Sequence, residues 1–250
     1  NDISMVFGGL RAVSNFSMEI KAGELIGLIG PNGAGKTTAF NMITGVYTPT
    51  EGEIMFNGTR TSGKKSYQVT QLGMARTFQN IRLFSELSVI DNVKIAYNMH
   101  VKYTLGEAIA RVGRYFSEED EITKKALELL KIFKLEDKAY ETAKNLPYGE
   151  QRRLEIARAL ATEPKLLLLD EHTAALDPKT AAKVLELSEQ IVTENHLTTL
   201  MVTHNMRDAI NYGNRLIMMN EGRVAMDGAP REVFAQVEKL KSIGLTVPDT

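Results

Sequence analysis

One short segment combines glycines, a lysine and a threonine at a spacing that suits phosphate binding. Residues 30–37 fit the pattern G-x-x-x-x-G-K-[ST] at every fixed position. Glycines allow the backbone N–H groups of such a loop to face phosphate oxygens, and the helix that follows adds the positive end of its dipole. In this pattern Lys36 reaches the terminal phosphates and the Thr37 hydroxyl ligates Mg²⁺. The candidate phosphate-binding residues are Asn32, Gly33, Gly35, Lys36, Thr37 and Thr38.

A glycine-rich turn without a ligand could match this pattern by chance, so the context of the loop matters. The apolar run Leu25–Ile29 has the length of a buried strand and ends at the loop. Residues 37–44 have the pattern of a helix start. A strand, a loop and a helix in this order are the context that the motif requires, which favours a phosphate site over a chance match.

A second candidate group consists of two carboxylates that follow a leucine-rich run. The run Leu166–Asp170 predicts a buried strand, and Glu171 comes directly after it. The carboxyl ends of such strands form the ligand-binding edge of an α/β sheet. We expect Asp170 to hold Mg²⁺ through its water shell, and Glu171 to polarise an attacking water as a general base or as a positioning group. Alone, this pattern is also typical of a surface loop; together with the phosphate loop it is a strong signal.

The elements that must position these residues alternate between strand and helix. Strands are predicted at 25–29, 53–56, 165–170, 197–203 and 215–219. Asp177 and Pro178 have the pattern of an N-cap and a first helical residue. An amphipathic helix is predicted over 230–244. This alternation predicts an α/β fold with a mostly parallel core sheet.

The middle of the chain has a different pattern. Residues 89–161 are mostly helical in composition, and within them Ile122, Ala126, Leu129, Leu130 and Phe133 recur at helical spacings. We therefore predict one domain over residues 1–250. In it, a helical subdomain at 89–161 interrupts a core built from 1–88 and 162–250.

Composition excludes several classes of protein. The 250 residues carry 30 basic and 31 acidic side chains, a formal charge of −1, so we expect no nucleic-acid partner. The absence of cysteine excludes a disulfide scaffold, a thiol nucleophile and a Cys-ligated zinc site. No apolar run approaches the roughly 20 residues of a membrane-spanning helix. The first residues lack the pattern of a secretory signal. They also lack an initiator methionine, so we expect that the first residue reflects processing of the chain.

Five further features, taken with the two groups above, resemble the ordered motifs of ATP-binding cassette (ABC) ATPases. Phe7 is placed like the aromatic residue that stacks on adenine, and Gln79 matches the glutamine of the Q-loop. Residues 146–153 resemble the signature motif, and residues 175–177 resemble the D-loop. His204 follows a predicted strand and resembles the switch histidine.

The resemblance implies a P-loop NTPase cassette: an α/β fold with a mostly parallel core sheet, an N-terminal antiparallel β part and an inserted helical subdomain. It implies an ATPase with ATP and Mg²⁺ as cofactors. The implied catalytic residues are Glu171, His204 and Gln79, and the implied metal-binding residues are Thr37, Gln79 and Asp170. Beyond the phosphate loop, the implied nucleotide-binding residues are Phe7, Tyr148, Gly149, Gln151 and Asp177.

The resemblance also implies partners. Such cassettes work as dimers, either of identical or of paired subunits, with each ATP between one subunit's phosphate loop and the other's signature motif. The helical subdomain and the segment after Gln79 would form a groove for a coupling helix of a membrane permease. The expected location is cytoplasmic, peripheral at the inner face of the cell membrane.

Within the family, residues 1–165 look most like the ATPase subunits of branched-chain amino acid importers. Residues 170–219 resemble another group of bacterial importers, and residues 227–248 resemble the tail of energy-coupling-factor ATPases. Three alternatives to an amino-acid importer therefore stay open: an engineered or recombinant chimera without a native transport partner, a lipopolysaccharide-export ATPase, and a soluble cassette of DNA repair or translation. The last class usually carries coiled-coil insertions or tandem cassettes, which this sequence lacks.

Several residues also have a simpler interpretation. Phe7 could be a core residue, and the histidines His100, His172 and His196 are interpreted as structural. Arg152 and Arg153 are interpreted as a solvated helical face. Two departures from the family pattern, Pro147 for the signature serine and His172 for the proline after the catalytic glutamate, predict slow hydrolysis.

Overall fold

The computed structural model describes residues 1–170, 178–194, 196–203 and 213–243. The strands in this part of the chain are β1 (Ile3–Phe7), β2 (Leu10–Phe16), β3 (Leu25–Ile29), β4 (Met55–Phe56), β5 (Thr59–Arg60), β6 (Met74–Arg76), β7 (Leu166–Asp170), β8 (Thr198–Val202), β9 (Arg215–Asn220) and β10 (Arg223–Gly228). The helices are α1 (Lys36–Ile43), α2 (Ser66–Gln71), α3 (Val89–Tyr97), α4 (Leu105–Ala110), α5 (Tyr115–Ile132), α6 (Tyr148–Leu160), α7 (Pro178–Glu194), α8 (Pro230–Phe234) and α9 (Val237–Ser242). Short 3₁₀ turns cover Asn98–His100, Glu136–Lys138 and Ala143–Asn145.

The described residues fall into two compact units. The first contains residues 1–76, 165–172 and 188–250, and the second contains residues 77–164 and 173–187. The predicted limits of the helical subdomain, 89 and 161, lie inside the second unit. As a division into functional domains, those limits remain a prediction.

The first unit is organised around a six-stranded sheet in the order β10-β9-β3-β8-β7-β6. The pairs from β9 to β6 are parallel, and β10 is antiparallel to β9. All five residues of β7 are buried, as expected for a leucine-rich strand that is covered on both faces. The mostly parallel core sheet is therefore confirmed.

The antiparallel pair β1 and β2 forms the predicted N-terminal β part. It is joined to the rest of the unit through backbone contacts, including a bridge between Ser4 and Glu51. Buried apolar residues of this pair continue into the core beneath β3 and α1. That core includes Ile3, Val13, Phe16, Ile26, Leu28, Phe40, Met42, Leu168, Leu200 and Ile217.

The second unit is helical, with α3, α5 and α6 packed on one another. α3 begins after Ser88, whose Oγ accepts a hydrogen bond from the N–H of Asp91 and so caps the helix. The apolar residues that the heptad-like spacing in α5 predicted, such as Ile122, Ala126 and Leu130, are buried. No helix in the described ranges is both long and apolar enough to cross a bilayer.

The prediction of one helix over 230–244 is wrong. The structure has two short helices, α8 and α9, because Gln236 leaves the helical region at φ −86° and ψ 55°. The apolar pattern that suggested one helix has a different cause: Val233 and Leu240 are both buried in a cluster with Leu216 and Met218 of β9.

Candidate functional site

The phosphate loop connects the buried strand β3 to the helix α1, as predicted. Two of its glycines are required by space. A Cβ at Gly30 would collide with the carbonyl oxygen of Met219, and a Cβ at Gly35 would lie 2.7 Å from the carbonyl oxygen of Ala12. Gly35 also has a φ of 92°, in the left-handed region that favours glycine, and it is the N-cap residue directly before α1. The sequence thus permits a tight turn that leaves the N-terminus of α1 facing the loop.

Backbone hydrogen bonds connect the phosphate loop to neighbouring strands through Gly222. The N–H of Gly222, between β9 and β10, donates to the carbonyl of Ala34 over 3.1 Å, and the carbonyl of Gly222 accepts from the N–H of Ser14 over 2.8 Å. The N–H of Ala34 also donates to the carbonyl of Pro31 over 3.2 Å. The loop conformation therefore depends on strands from both ends of the chain.

Lys36 places its charge within the loop. Its Nζ donates to the carbonyls of Gly30 and Pro31 over 2.8 and 2.9 Å, and the residue is 4% exposed. An ammonium group held by backbone carbonyls is a fixed positive charge next to the N-terminus of α1. Of the other predicted loop residues, Asn32, Gly33 and Thr37 are exposed, whereas Gly35 and Thr38 are half-buried.

Asp170 lies at the carboxyl end of β7, at the same sheet edge as the loop, and is 3% exposed. The guanidinium of Arg76 donates to its Oδ2 over 3.2 Å. The same guanidinium donates to Asn41 Oδ1 and Thr44 Oγ1 over 2.9 and 2.7 Å, and lies 4.9 Å from the centre of the Phe40 ring. Arg76 therefore connects the candidate metal-binding carboxylate with the helix that follows the phosphate loop.

Phe7 ends β1 and is not a core residue. It is 40% exposed, and its ring contacts Tyr47 edge to face with centroids 5.4 Å apart. An exposed aromatic ring that is held by a second ring is suited to stacking on a planar base. Tyr47 was not singled out from the sequence.

In the second unit, the candidate signature motif at 146–153 contains the N-terminus of α6. Pro147 precedes the helix in extended backbone, Tyr148 is its first residue and is 41% exposed, and Gly149 is half-buried. The side chain of Gln151 donates to the carbonyl of Leu146 over 2.8 Å, which stabilises the turn into the helix. The exposed first turn of a helix is a suitable site for an anion.

Gln79 is exposed in the irregular segment that opens the second unit. Its carbonyl oxygen accepts a hydrogen bond from Arg152 Nη2 over 2.6 Å, and the carbonyl of Phe78 accepts one from Arg152 Nη1 over 2.6 Å. The interpretation of Arg152 as part of a solvated helical face is therefore wrong. Arg152 is 0% exposed, because these carbonyls and the carboxylate of Glu155 supply its partners inside the unit.

Glu155 is the anionic partner in this buried group. Burial raises the pKa of its carboxyl above the ordinary value, whereas the charge of Arg152 and the amides of Arg82 and Phe78 act in the opposite direction. Burial also lowers the pKa of the nearby Arg158 guanidinium, which lies 5.6 Å from the centre of the Phe84 ring.

Three predicted residues, Glu171, Asp177 and His204, lie outside the described residues, as does His172. Within the described ranges, no group of three or more His, Cys, Asp or Glu side chains forms a metal-binding cluster. Of the histidines interpreted as structural, His100 has its Nε2 3.1 Å from the carbonyl oxygen of Thr162, and His196 lies in the turn after α7.

Sequence reasoning missed Arg76, Arg152 and Glu155 as site residues. The available signal for Arg76 was a charged residue at the end of an otherwise apolar strand. For the other two, it was an opposite-charge pair at i and i+3 on the apolar side of a helix. Neither signal identifies its partners, because those are backbone groups and side chains distant in sequence.

Comparisons with known proteins agree with this geometry. The family model described as "ABC transporter" matches residues 13–174. The high-affinity branched-chain amino acid transport ATP-binding protein LivG of Salmonella typhimurium is 38% identical over 233 residues, which cover 93% of this chain and 91% of that protein. The corresponding protein BraF of Pseudomonas aeruginosa is 34% identical over 240 residues, covering 96% and 94%.

Solved structures show the same fold. The ADP conformation of MJ1267, an ATP-binding cassette of an ABC transporter, has a TM-score of 0.82 at 27% identity and covers 97% of this chain and 96% of that chain. The dimeric post-hydrolysis state of the cassette MJ0796, bound to ADP and Pi, has a TM-score of 0.76 at 30% identity and covers 92% and 97%.

These matches bear on the alternatives left open by the sequence. Because single relatives align over more than nine-tenths of the chain, they do not favour a chimera or an export or repair ATPase. The P-loop cassette fold is confirmed. The chain belongs to the ABC transporter family, as an ATPase cassette whose hydrolysis of ATP is coupled to transport.

Proposed function

We propose that this chain is the ATP-hydrolysing subunit of a bacterial importer for branched-chain or other amino acids. One observation carries the proposal: the phosphate loop, with the buried Lys36, lies at the same sheet edge as the carboxylate of Asp170. The names of the relatives LivG and BraF support amino acids as the transported class.

The loop residues would bind ATP through its phosphates. The N–H groups at the start of α1 and the Lys36 ammonium would neutralise the terminal phosphates, and Phe7, backed by Tyr47, would stack on the base. Nucleotide entry would require the Lys36 ammonium to exchange its bonds to the Gly30 and Pro31 carbonyls for phosphate oxygens.

Mg²⁺ is the second ligand of the proposed site. We propose that Thr37, Asp170 and Gln79, the residues implied by the family resemblance, would bind it, since a hydroxyl, a carboxylate and an amide carry the oxygen ligands that this ion prefers. When bound, the ion would offset charge that develops on the phosphates. Arg76 would keep the Asp170 carboxylate in place for that role through the bond between them.

Hydrolysis would use residues from two subunits. Glu171 would polarise the attacking water, His204 would contact the terminal phosphate, and Asp177 would lie near the second subunit. The first turn of α6, with the exposed Tyr148 and the half-buried Gly149, would approach the nucleotide of the partner subunit. The dimeric state of MJ0796 with ADP and Pi supports this arrangement.

The chain would act at the membrane by docking on a permease. We place it in the cytoplasm, peripheral at the inner face of the cell membrane, with the helical subdomain at 89–161 and the segment after Gln79 forming the groove for the permease. Support comes from the relatives, whose names describe ATP-binding components of transport systems.

Two variants test the catalytic assignment. Glu171→Gln should keep ATP binding and lower kcat by about 10²–10⁴-fold, the usual contribution of a general base. Lys36→Ala should instead weaken ATP binding, measured by calorimetry, because it removes the charge inside the loop. Lys131→Ala, at an exposed position of α5, is the matched control and should change neither quantity. Turnover that survives Glu171→Gln would show that another group activates the water.

A third measurement tests the coupling to transport. ATPase activity is measured in nanodiscs with and without the permease pair of a branched-chain amino acid importer, and again with an unrelated importer permease. Stimulation by the first pair alone supports the proposed substrate class. Equal stimulation by both, or by neither, would leave the ATPase assignment intact and reject the amino-acid assignment.

A further inference from the structure

The buried pair Arg152–Glu155, here called the clamp, holds a loop that contains a candidate catalytic residue. Arg152 begins the second turn of α6 and is 0% exposed. Its two terminal nitrogens donate to consecutive carbonyls, those of Phe78 and Gln79, each over 2.6 Å. One planar guanidinium therefore fixes two successive peptide groups.

Glu155 completes the clamp from one helical turn further on. Its Oε2 accepts from Arg152 Nη1 over 2.6 Å, and its Oε1 accepts from the N–H of Arg82 over 3.2 Å and of Phe78 over 3.4 Å. The two side chains thus hold two carbonyls and two amides of residues 78–82. This segment has no regular secondary structure, so these bonds take the place of a backbone ladder.

We propose that Arg152 is a positioning residue for Gln79, and that the clamp makes residues 78–82 and the first turn of α6 move as one body. The inference rests on the proposed function, in which Gln79 acts at the nucleotide of its own subunit and Tyr148 and Gly149 act at that of the partner. While the clamp is formed, a displacement of Gln79 also displaces Tyr148 and Gly149, and the reverse.

The energetics of the pair favour a role in geometry over a role in stability. Burying an ion pair rarely stabilises a fold, since the loss of hydration offsets the attraction between the charges. Among the described residues, Arg152 Nε is also a buried donor without a hydrogen-bond partner. An apolar pair would fill the same space without these two costs, but it would remove the hydrogen bonds of the clamp to the backbone of residues 78–82. It could not supply the two N–H donors that bind the carbonyls of Phe78 and Gln79 together. A lysine would supply only a point charge.

Hydrogen exchange of the nucleotide-free chain tests the clamp directly. In Arg152→Met and in the apolar double variant R152M/E155L, amides of residues 78–82 should exchange at least about tenfold faster than in the original chain, because opening of the segment no longer breaks the clamp. Lys94→Met removes a cation from the half-buried ion pair Lys94–Glu119 in the same unit and is the matched control. Exchange in 78–82 that is equal in the original chain and in both clamp variants would overturn the proposal.

ATP hydrolysis separates positioning from folding. The double variant should remain folded, yet lower kcat by about 10–100-fold with KM for ATP within about twofold, as expected when a catalytic group is misplaced. Arg152→Lys should lower kcat to a similar extent, because a lysine ammonium cannot bond both carbonyls at once. A double variant that is stable and fully active would refute the proposal, as would full activity of Arg152→Lys.

The outcomes also distinguish this inference from the function on which it rests. A chain that binds no ATP and hydrolyses none would reject the proposed function, while the exchange rates of the nucleotide-free chain would still decide whether the clamp holds residues 78–82. If Arg152→Met fails to fold, the double variant decides, since it removes both charges of the clamp.

Discussion

At the scale of single residues, Arg76 shows how one buried cation connects several elements. Its guanidinium bonds Asp170 at the end of β7 and Asn41 and Thr44 on or next to α1. The ion pair with Asp170 is largely shielded from water, with side-chain exposures of 12% and 5%. Removing the guanidinium would take one partner from each of three polar groups, and the loss is largest for the buried carboxylate because it is charged.

We therefore expect Arg76→Met to lower the free energy of unfolding by about 2–4 kcal/mol. Equilibrium unfolding in urea measures the loss. The control is Arg11→Met, which removes an ion pair with Glu51 at exposures of 43% and 52%. Water screens the charges of such an exposed pair, so the control should change stability little. Similar losses in the two variants would contradict the role given to Arg76.

Tyr97 gives a prediction about pH. Burial, with the carboxylates of Glu163 and Glu128, raises the pKa of its hydroxyl to about 12. Between pH 10 and 12 the unfolded chain loses this proton while the folded chain keeps it, so a rise in pH favours unfolding. The stability of the original chain should therefore fall relative to Tyr97→Phe over this interval. Urea unfolding of both proteins from pH 9 to 12 measures the difference, and a constant difference would contradict the raised pKa.

Spacing along the sequence was sufficient for some residues of the site and insufficient for others. Lys36 and Thr37 were found because a phosphate loop is one continuous segment whose geometry is set by local glycines. Arg152 was misinterpreted because its partners are main-chain carbonyls at Phe78 and Gln79, which no residue type reveals. A charged residue on a helix is solvated in most proteins, and tertiary contacts overrode that expectation here.

At the scale of elements, the cap of α3 provides a test. Ser88 Oγ accepts from the N–H of Asp91 over 3.1 Å at the start of a helix that packs against α5 and α6. Ser88→Ala should lower the free energy of unfolding by about 1 kcal/mol, since it leaves an N–H of the first turn without its acceptor. Ser88→Thr keeps the oxygen and should recover most of the loss. Equal losses for both substitutions in urea unfolding would argue against the cap.

The parallel strands were the elements that sequence predicted best. Leu25–Ile29 matches β3, and the runs predicted at 165–170, 197–203 and 215–219 contain or overlap β7, β8 and β9. These strands are buried on both faces, so continuous apolar runs identify them. The strand predicted at 53–56 is reduced to Met55–Phe56, and the helix predicted over 230–244 is two helices. In the second region Val233 and Leu240 are buried although the helix is interrupted at Gln236, a change of backbone direction that periodicity does not encode.

At the scale of the whole molecule, the proposed cycle predicts a change in association state. Glu171→Gln should form a dimer with ATP and Mg²⁺ and remain monomeric with ADP, because binding of the terminal phosphate by two subunits holds them together until hydrolysis. Light scattering after size exclusion would show a mass twice that of the chain only with ATP. Adding Lys36→Ala to this variant is the control and should abolish the dimer. A monomer in ATP-saturated Glu171→Gln would contradict the two-subunit site.

The order of the central sheet has a consequence for synthesis of the chain on the ribosome. β3, which leads into the phosphate loop, pairs only with β8 and β9 within the described part of the sheet, so Leu28 lies opposite Val202 and Ile217. The loop itself is held by Gly222. At about 5–20 residues per second, roughly 10–40 s separate translation of Lys36 from that of its supports. During this time the nascent loop lacks the strands that shape it. We therefore expect ATP to stabilise the loop only after β8, β9 and Gly222 have been translated and have joined β3.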